Sequence, residues 1–235
     1  MAIQAHHNAG LPRHIGFILD GNRRWAKEKG LPKLVGHKKG YENLKTISQA
    51  CFDKGIEVVS AYIFSTENWN READEVDYLM GLALKLFKTD LEELMQKNIK
   101  VVVSGSRDKL AANILEAMDE TISKTKDNTS GIINVCFNYG GQADIVSAVA
   151  AIIKNKVDPS KITPQLIRSE LSHPELPPVD YIVRTSGEQR LSNFLLWDSA
   201  YAELEFVDVH WPGFKLQDLE AVLHEYKSRK RRFGS

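Results

Sequence analysis

The stretch HIGFILDGNRRWAK, residues 14–27, decides the fold of this chain. It opens with an apolar run, Ile15 to Leu19, that has the length of a strand and no alternation with polar residues. Such a run is typical of a strand buried on both faces of a parallel sheet. The run stops at Asp20-Gly21-Asn22, three residues that favour a tight turn and the start of a helix. The stretch therefore predicts an α/β fold in which a carboxylate stands at the carboxyl end of a central strand.

Two arginines directly after this turn indicate a place that binds phosphate. Arg23 and Arg24 carry forked donors that match phosphate oxygens, and the free N–H groups at a helix start attract anions. The carboxylate of Asp20 can bind a metal ion at the same place. The alternative is an ordinary strand, turn and helix in which Asp20 caps the helix and water solvates both arginines. The stretch contains neither the GxxxxGK[ST] phosphate loop nor GxGxxG, so neither fingerprint supports a nucleotide site.

Length and composition indicate one globular domain. The chain has 235 residues, of which 43% are hydrophobic and 26% are charged, as expected for a single α/β domain with a large core. Its 31 Lys and Arg balance its 31 Asp and Glu, which argues against a nucleic-acid binder that relies on bulk charge. We interpret residues 1–13 as an N-terminal extension and residues 14–235 as the domain.

Cysteine usage and hydropathy favour a cytoplasmic protein. Cys51 and Cys136 are isolated in the sequence, so we expect neither a disulfide framework nor a zinc site, and a reducing compartment is the default. Residues 1–13 lack the apolar core of a signal peptide. No apolar run reaches the roughly 18 residues that a transmembrane helix needs.

Strand-like and helix-like segments alternate along the chain, which predicts βαβ units and a parallel sheet. After the first strand, the strand-like runs are Ile56–Phe64, Ile99–Val103, Ile132–Phe137, Tyr181–Val183 and Leu204–Val207. The helical patterns are Tyr41–Asp53, Glu72–Lys97, Leu110–Thr125, Ala143–Lys154 and Leu216–Lys227. The apolar stripe of the Glu72–Lys97 segment is wider than one packing face needs, so this helix is either buried between neighbours or lines an apolar cavity.

Three further motifs follow in order: FSTENWNR at 64–71, NYGG at 138–141 and RTSGEQRLSNFLLWDSAYAELEF at 184–206. Together with residues 14–27 they resemble the motifs of the cis-prenyltransferases, the undecaprenyl diphosphate synthase family, over the chain from His14 to Gly234. The resemblance implies a central parallel sheet flanked by helices that enclose a hydrophobic tunnel, with a diphosphate site at its mouth. It also implies Mg²⁺-dependent condensation of isopentenyl diphosphate onto an allylic diphosphate such as farnesyl diphosphate, giving a Z-polyprenyl diphosphate.

The resemblance assigns the metal and the allylic substrate to the first motif. It makes Asp20 a catalytic residue that coordinates Mg²⁺. It implies that the allylic diphosphate is bound by Gly21, Asn22, Arg23, Arg24, Trp25, Lys33 and His37. The family usually has arginine where this chain has Lys33, and lysine offers a point charge in place of a bidentate fork. Taken without the family, His37 is better explained as a structural or surface residue.

The polar segment after Phe64 resembles a mobile flap over the site. By resemblance Ser65 and Asn68 are catalytic residues near the proton that isopentenyl diphosphate loses. The residues of this segment implied to bind or shape the substrate site are Phe64, Ser65, Thr66, Glu67, Trp69 and Arg71. Glu72 stands where the family often has proline, which predicts a looser hinge. The alternative is a capped helix entry, with Ser65 or Asn70 starting the long helix.

The last motif follows the apolar residues Tyr181 to Val183, so Arg184 is predicted at the carboxyl end of a strand, the ligand side of an α/β sheet. By resemblance Arg184, Arg190 and Ser192 bind the diphosphate of isopentenyl diphosphate, and Glu203 helps to hold Mg²⁺ or the adjacent arginines. Without the family, these residues would be read as a solvated turn.

The resemblance also implies a homodimer, because the C-terminal Arg-x-Gly of the family, here Arg232-Phe233-Gly234, reaches toward a site across a dimer interface. The lipid product implies a peripheral contact with a membrane.

Product length is open. The family's longer-chain members usually carry a small residue where this chain has Ile63, so we lean toward a medium or somewhat shortened product, with the undecaprenyl length as the default. Strand alternation predicts that Tyr62 and Phe64 face one way and Ile63 the other. The alternatives are a shorter-chain Z-prenyl diphosphate synthase, a non-catalytic partner subunit, and a nucleotide-binding module. Catalytic residues such as Asp20 and Arg184 are present, which disfavours the partner subunit, and no base-reading motif supports the module.

Overall fold

A computed structural model describes residues 10–229 of the chain. Its strands form one parallel sheet, in the order β3-β4-β2-β1-β5-β6. The strands are β1 (His14–Ile18), β2 (Val58–Ser65), β3 (Ile99–Ser104), β4 (Gly131–Tyr139), β5 (Tyr181–Arg184) and β6 (Glu203–Phe206). The predicted α/β class and the predicted parallel sheet are confirmed. The tail Arg232-Phe233-Gly234 and residues 1–9 of the N-terminal extension lie outside the described residues.

The helices connect the strands and cover the sheet. They are α1 (Asn22–Glu28), α2 (Lys33–Asp53), α3 (Ala73–Leu84), α4 (Leu91–Gln96), α5 (Ala112–Thr125), α6 (Gly141–Lys154), α7 (Pro164–Ser169) and α8 (Leu216–Ser228). Within residues 10–229, none of these helices combines the length and the apolarity needed to cross a bilayer.

The prediction of one unbroken helix over Glu72–Lys97 is wrong. The structure has α3, then a π-helical turn at Lys85–Thr89, and then the short helix α4, with Asp90 at the junction. The apolar pattern alone could not show this, because it continues across the break. The predicted start of α2 at Tyr41 is too late, because the helix begins at Lys33. The short helix α7, which begins at Pro164, was not predicted.

The two largest of the three hydrophobic clusters among the described residues pack on the sheet. The larger contains Phe17 of β1 together with Trp211 and Phe214, whose rings stack with centroids 5.7 Å apart. The smaller contains Phe194, which stacks on Tyr62 of β2 with centroids 4.8 Å apart. The central strand β1 is buried along its whole length, as predicted for a strand with apolar residues on both faces.

Strand β2 does not alternate as predicted near its carboxyl end. Its pairing with β4 shifts register between Tyr62 and Phe64. As a result Ile63 and Phe64 both contact the larger cluster, whereas Tyr62 packs with the smaller one. The prediction that Phe64 faces the same way as Tyr62 is therefore wrong, because a bulge turns successive side chains out of strict alternation.

The parallel arrangement brings the carboxyl ends of the strands to one edge of the sheet. Asp20 follows β1, Ser65 ends β2 and Arg184 ends β5, and these three strands are adjacent. Residues that are far apart in the sequence therefore meet at this edge.

A buried polar ladder crosses the four strands β1, β2, β4 and β3. His14 donates from Nδ1 to the Pro177 carbonyl at 2.8 Å and accepts at Nε2 from the Ser60 hydroxyl at 2.7 Å. The Ser60 oxygen accepts from Asn134 at 2.9 Å, and Ser104 donates to the Asn134 amide oxygen at 2.8 Å. These groups are fully buried. A carbonyl only accepts, so Nδ1 of His14 carries a proton. Burial keeps the imidazole neutral, which leaves Nε2 as the acceptor for the Ser60 hydroxyl.

Burial lowers the pKa of His14 from 6.5 to about 3. Below pH 6.5 the unfolded chain takes up a proton at His14 that the folded chain does not, so stability falls with pH until the folded pKa is reached. We expect this residue to make the free energy of unfolding fall by up to about 1.4 kcal/mol per pH unit below pH 6.5. Chemical denaturation between about pH 6.5 and pH 5, above the ordinary pKa values of carboxylates, measures the slope.

The variant His14→Gln should show a shallower slope than the wild type over the same pH range. His224→Gln is the control, because His224 is exposed on α8. Equal slopes for His14→Gln and the wild type would contradict the assignment.

Candidate active site

A cavity of about 1220 Å³ opens at the carboxyl edge of the sheet. Polar and charged residues from β1, α1, the start of α2, the flap and the loop after β5 surround its mouth. Apolar residues line its deeper part, namely Leu44 of α2, Leu79, Leu82 and Ala83 of α3, and Leu86 in the π-helical turn. The predicted site residues that line it are Asp20, Gly21, Asn22, Arg23, Arg24, Lys33, His37, Ser65, Glu67, Asn68, Arg71, Arg184 and Ser192.

Asp20 is held between two arginines. Its Oδ2 accepts from Arg184 at 2.8 Å, and its Oδ1 lies 3.1 Å from Nη2 of Arg24. Oδ1 also accepts from the backbone N–H of Gly21 at 2.7 Å. Burial alone would raise the pKa of Asp20, but the hydrogen bonds and charges of Arg184 and Arg24 outweigh it and hold the pKa below its ordinary value. Asp20 is therefore ionised at neutral pH.

Gly21 makes the tight turn from Asp20 into α1. Its φ of +98° lies in the left-handed region that favours glycine. A Cβ atom here would also lie 2.6 Å from both the Ser186 hydroxyl and Nδ1 of His210. No other residue fits this turn without displacing its neighbours, which explains why α1 starts where it does and presents Arg23 and Arg24 at the mouth.

Arg184 joins the loop after β5 to the carboxyl end of β1. Besides its contact with Asp20, it donates from Nη1 to the Ser192 hydroxyl at 2.7 Å and to the Arg190 carbonyl at 2.5 Å. Its Nε is buried without a hydrogen-bond partner. An unpaired guanidinium donor is costly in the interior, and at the edge of a cavity it fits an anionic ligand.

Glu75 organises the opposite side of the mouth, and the sequence did not predict it. Its carboxylate is 1% exposed and lies 3.0 Å from Nε2 of His37, 2.9 Å from Arg71, 3.7 Å from Lys33 and 3.9 Å from Arg23. Burial would raise the pKa of Glu75, but the hydrogen bond with His37 and the charge of Arg71 hold it below its ordinary value.

The Glu75 cluster carries surplus positive charge. Burial lowers the pKa of His37, so this imidazole is neutral at pH 7. Glu75 therefore faces three permanent cations. Lys33 is also paired with Glu72 and Asp74, but the described residues give Arg23 and Arg71 no carboxylate other than Glu75. The excess charge suits a ligand with several negative charges, such as a diphosphate.

The flap is a short 3₁₀ helix, Thr66–Asn70. Ser65 caps it, with its backbone N–H donating to the Asn68 side chain at 3.1 Å. The alternative that Ser65 or Asn70 starts the long helix is wrong, because α3 begins separately at Ala73, with Glu72 at its N-cap. Trp69 donates to Asn138 at 2.8 Å and meets Phe64 edge-on, with ring centroids 5.1 Å apart. These contacts fix the flap against the sheet.

Lys33 and Glu72, the two residues that depart from the family pattern, contact each other. Lys33, at the start of α2, donates to Glu72, just before α3, and lies 3.3 Å from Asp74. Glu72 and Asp74 are largely exposed, so each contact contributes little energy in water. The pair nevertheless spans the mouth and holds the base of the flap against α2, where a looser hinge was predicted.

Six predicted site residues do not line the cavity. They are Trp25, Phe64, Thr66, Trp69, Arg190 and Glu203. Phe64 is buried in the larger hydrophobic cluster. Arg190 points to solvent, with its side chain 59% exposed and its Nη1 on Glu188 at 2.6 Å. Trp25 lies under the Lys29 ammonium on α1, and Thr66 and Trp69 belong to the flap.

Glu203 lies at the wrong end of the sheet to meet Asp20. It starts β6 in register with Tyr181, which in turn pairs with Ile15. Asp20 is five residues beyond Ile15, about 16 Å along the strand direction. Glu203 instead lies 3.3 Å from Nη1 of Arg229. Within one chain, the structure does not support a metal site shared by Asp20 and Glu203.

Sequence reasoning missed two residues that hold the mouth together. Asn193 lines the cavity, donates to Glu67 at 3.1 Å and accepts from the backbone of Gln142 at 2.8 Å. Nothing in its sequence surroundings marks it except its place beside Ser192. Glu75 could have been noticed in the sequence, because it is a carboxylate four residues before Leu79, on the side of the helix that carries the apolar stripe.

Two carboxylates of the described residues line the cavity, Asp20 and Glu67, and Asp20 is the one that lies between arginines. Over residues 10–229, no group of three or more His, Cys, Asp or Glu side chains is arranged to hold a metal. Mg²⁺, however, is commonly bound through one or two carboxylates, with substrate phosphates as its other ligands. An ionised Asp20 at the edge of a cavity rich in phosphate-binding groups fits that mode of binding.

Comparisons with known proteins agree on one family. The family model described as putative undecaprenyl diphosphate synthase matches residues 18–234. An isoprenyl transferase from Brucella abortus is 45% identical over 95% of this chain and 89% of its own length, and one from Streptococcus thermophilus is 42% identical over 95% and 93%.

Solved structures show the same architecture. The fold matches lavandulyl diphosphate synthase from Lavandula x intermedia, crystallised with dimethylallyl diphosphate, at a TM-score of 0.92, with 31% identity over 97% of this chain and all of the other. It matches a probable undecaprenyl diphosphate synthase from Campylobacter jejuni at a TM-score of 0.80, with 27% identity over 95% and 99%.

The Glu75 cluster can be tested without any assumption about the reaction. Glu75→Gln leaves three cations around an uncharged amide, so we expect the free energy of unfolding to fall by about 1–3 kcal/mol. Inorganic diphosphate should restore part of this loss, because a ligand that binds only the folded state stabilises it. Thermal melting with and without diphosphate measures both effects.

Glu116→Gln is the matched control, because Glu116 is exposed on α5. If the two variants melt alike and respond alike to diphosphate, Glu75 does not organise the cations.

Proposed function

We propose, from the premise that this chain belongs to the undecaprenyl diphosphate synthase family and is a prenyltransferase, that it condenses isopentenyl diphosphate onto an allylic diphosphate such as farnesyl diphosphate. The product is a Z-polyprenyl diphosphate. The observation that carries this proposal is the character of the cavity, which is cationic around Asp20 at its mouth and apolar farther in. A prenyl diphosphate has the same two parts, a charged head and an apolar tail.

The cations at the mouth form two groups, and we assign one diphosphate to each. Arg23, Arg71 and Lys33, gathered by Glu75, suit the allylic diphosphate. Arg184, whose Nε lacks a partner, suits the diphosphate of isopentenyl diphosphate, with Ser192 on the same loop. The likeness to a structure in complex with dimethylallyl diphosphate, an allylic diphosphate, supports an allylic site in this cavity.

Asp20 stands between the two groups and is the residue that would hold Mg²⁺. When bound, Mg²⁺ neutralises the negative charge that builds on the departing diphosphate. Arg24 and Arg184 keep Asp20 ionised and oriented without any ligand present. Arg24 also lies 2.9 Å from Glu188, which keeps its guanidinium at the mouth.

In the proposed reaction the C–O bond of the allylic diphosphate breaks, and its terminal carbon bonds to the terminal alkene carbon of isopentenyl diphosphate. A proton then leaves isopentenyl diphosphate and a new double bond forms. The arginines and Lys33 stabilise the charge on the leaving diphosphate. Ser65 and Asn68 line the mouth and are our candidates for residues near that proton, which either the departing diphosphate or a side chain accepts.

The apolar part of the cavity suits the growing prenyl tail, and we propose that it serves as the tail-binding tunnel. Ile63 of β2 lines the cavity two residues before the strand ends at the mouth. Its branched side chain narrows a close-packed wall. This supports a medium or shortened product, and the likeness to lavandulyl diphosphate synthase makes a shorter-chain Z-prenyl diphosphate synthase the second candidate.

We further propose that the chain works as a homodimer. The outer face of α6 exposes Val146 (67%), Val149 and Ile153 (70%), which lie at helical spacing on one side. Leu204 of the edge strand β6 is also exposed, and so is Tyr201, which precedes that strand. An apolar helix face of this kind usually marks an interface, and a second copy is the partner that the family resemblance implies.

One assay tests the function directly. Purified protein is incubated with radiolabelled isopentenyl diphosphate, farnesyl diphosphate and Mg²⁺, and prenyl products are separated by chain length. We expect product from the wild type and a loss of turnover of about 10²-fold or more in Asp20→Ala, because the transition state loses a preorganised charge. The melting temperature should fall as well, because the buried Arg184 loses its carboxylate partner, so turnover is compared at a temperature where both proteins are folded.

Asp77→Ala supplies the control, since Asp77 is an exposed carboxylate on α3 that does not line the cavity. No incorporation by the wild type would overturn the proposed function. Near wild-type turnover of Asp20→Ala at saturating Mg²⁺ would overturn only the role of Asp20.

The dimer can be tested by sedimentation. The double variant Val146→Glu, Ile153→Glu places two charges on the exposed face of α6, and we expect it to sediment as a monomer where the wild type is a dimer. Leu216→Glu is the control, because Leu216 is 51% exposed on α8, away from this face. A wild type that stays monomeric at micromolar concentration would rule out the proposed dimer.

A further inference from the structure

Tyr41 lies near the deep end of the cavity. α2 and α3 both begin at the carboxyl edge of the sheet and run toward its other edge, so position along either helix measures depth. On α2 the lining starts at Lys33 and His37 and continues to Tyr41. Within residues 10–229, the one lining residue of α2 beyond Tyr41 is Leu44, and the last one on the opposite side is Leu86.

The side chain of Tyr41 is tied to the opposite wall. Its hydroxyl donates to the buried carboxylate of Asp90, which follows the π-helical turn Lys85–Thr89. Lys45, one turn beyond Tyr41 on α2, lies 3.2 Å from the same carboxylate. The Nζ of Lys85 stands 5.3 Å from the centre of the Tyr41 ring. The ring therefore bridges α2 and the far end of α3, and its outer edge sits in a charged cluster.

This arrangement opposes the passage of an apolar chain. A prenyl tail that grows past Tyr41 must push the ring aside, which removes a hydrogen bond from the buried Asp90 carboxylate. The other route inserts apolar atoms among Lys45, Lys85 and Asp90, which strips water or polar partners from charged groups. Leu44 and Leu86, by contrast, offer a tail only favourable apolar contacts.

We propose that Tyr41, held in place by Asp90, closes the deep end of the cavity and limits the number of isoprenyl units in the product. This inference rests on the proposed function. Tyr41 acts by contact with the tail, and Asp90 acts through Tyr41 as a positioning residue. Ile63 narrows the cavity close to its mouth, so the two residues act at different depths.

The test compares product lengths in the same condensation assay, with excess isopentenyl diphosphate. Tyr41→Leu should move the main product up by at least one isoprenyl unit. Tyr41→Phe and Asp90→Ala keep an aromatic ring on α2 but remove its hydrogen bond, and should broaden the products toward longer chains. Tyr78→Leu is the matched control, because Tyr78 lies on α3 but does not line the cavity. We expect it to give the wild-type product pattern.

The outcomes separate this inference from the function it rests on. A wild type that forms no prenyl product would overturn the proposed function, and the inference with it. A wild type that elongates, together with wild-type product patterns from Tyr41→Leu and Tyr41→Phe, would overturn the role of Tyr41 alone. Ile63→Ala, expected to lengthen the product too, shows in that case that the assay can detect a shift. If Tyr41→Leu does not fold, the nearly isosteric Tyr41→Phe decides.

Discussion

The parallel alignment of β1, β2 and β5 is the constraint on which the site depends. Side chains at the ends of three adjacent strands can meet only if all three strands run the same way. The clearest example of such a meeting is the contact between Asp20 and Arg184, which are 164 residues apart in sequence. It joins the turn before α1 to the long irregular loop after β5, and with that loop come Ser192 and Asn193. A second charged contact, between Arg24 and Glu188 at 2.9 Å, joins the start of α1 to the same loop.

The second organising feature is the way in which the cations are kept in place before a ligand arrives. Like charges close together repel, and an open group of arginines would spread into solvent. Asp20 and Glu75 each hold their neighbours with one carboxylate, which leaves a net positive charge in a fixed geometry. A ligand with several negative charges then meets donors that are already oriented, so less conformational entropy is lost on binding. Each of these two carboxylates accepts hydrogen bonds from protein groups, so neither depends on water for its partners.

Features encoded in short stretches could be predicted from the sequence. The apolar run before Asp20 and the turn at Gly21 gave the first strand and helix, and the alternation of segments gave the parallel sheet. Features that depend on contacts distant in sequence could not be predicted. The bulge at Ile63 reversed the expected side of Phe64, and the π-helical turn before Asp90 is invisible in an unbroken apolar pattern. Glu203 resembles a metal ligand by its motif, yet it directly precedes the predicted strand Leu204–Val207, which places it at the amino end of that strand, away from Asp20.

The polar ladder from His14 to Ser104 divides the sheet into two unequal parts. β1, β2, β4 and β3 share its buried hydrogen bonds, whereas β5 and β6 lie outside it and pair with the rest through the backbone of β1. We therefore expect the four strands to behave as one cooperative unit in native-state hydrogen exchange and the β5–β6 edge to open at lower free energy. The boundary runs between Asp20 and Arg184. A ligand bound across the mouth thus bridges two folding units, and its binding energy would appear as slower exchange in the edge strands.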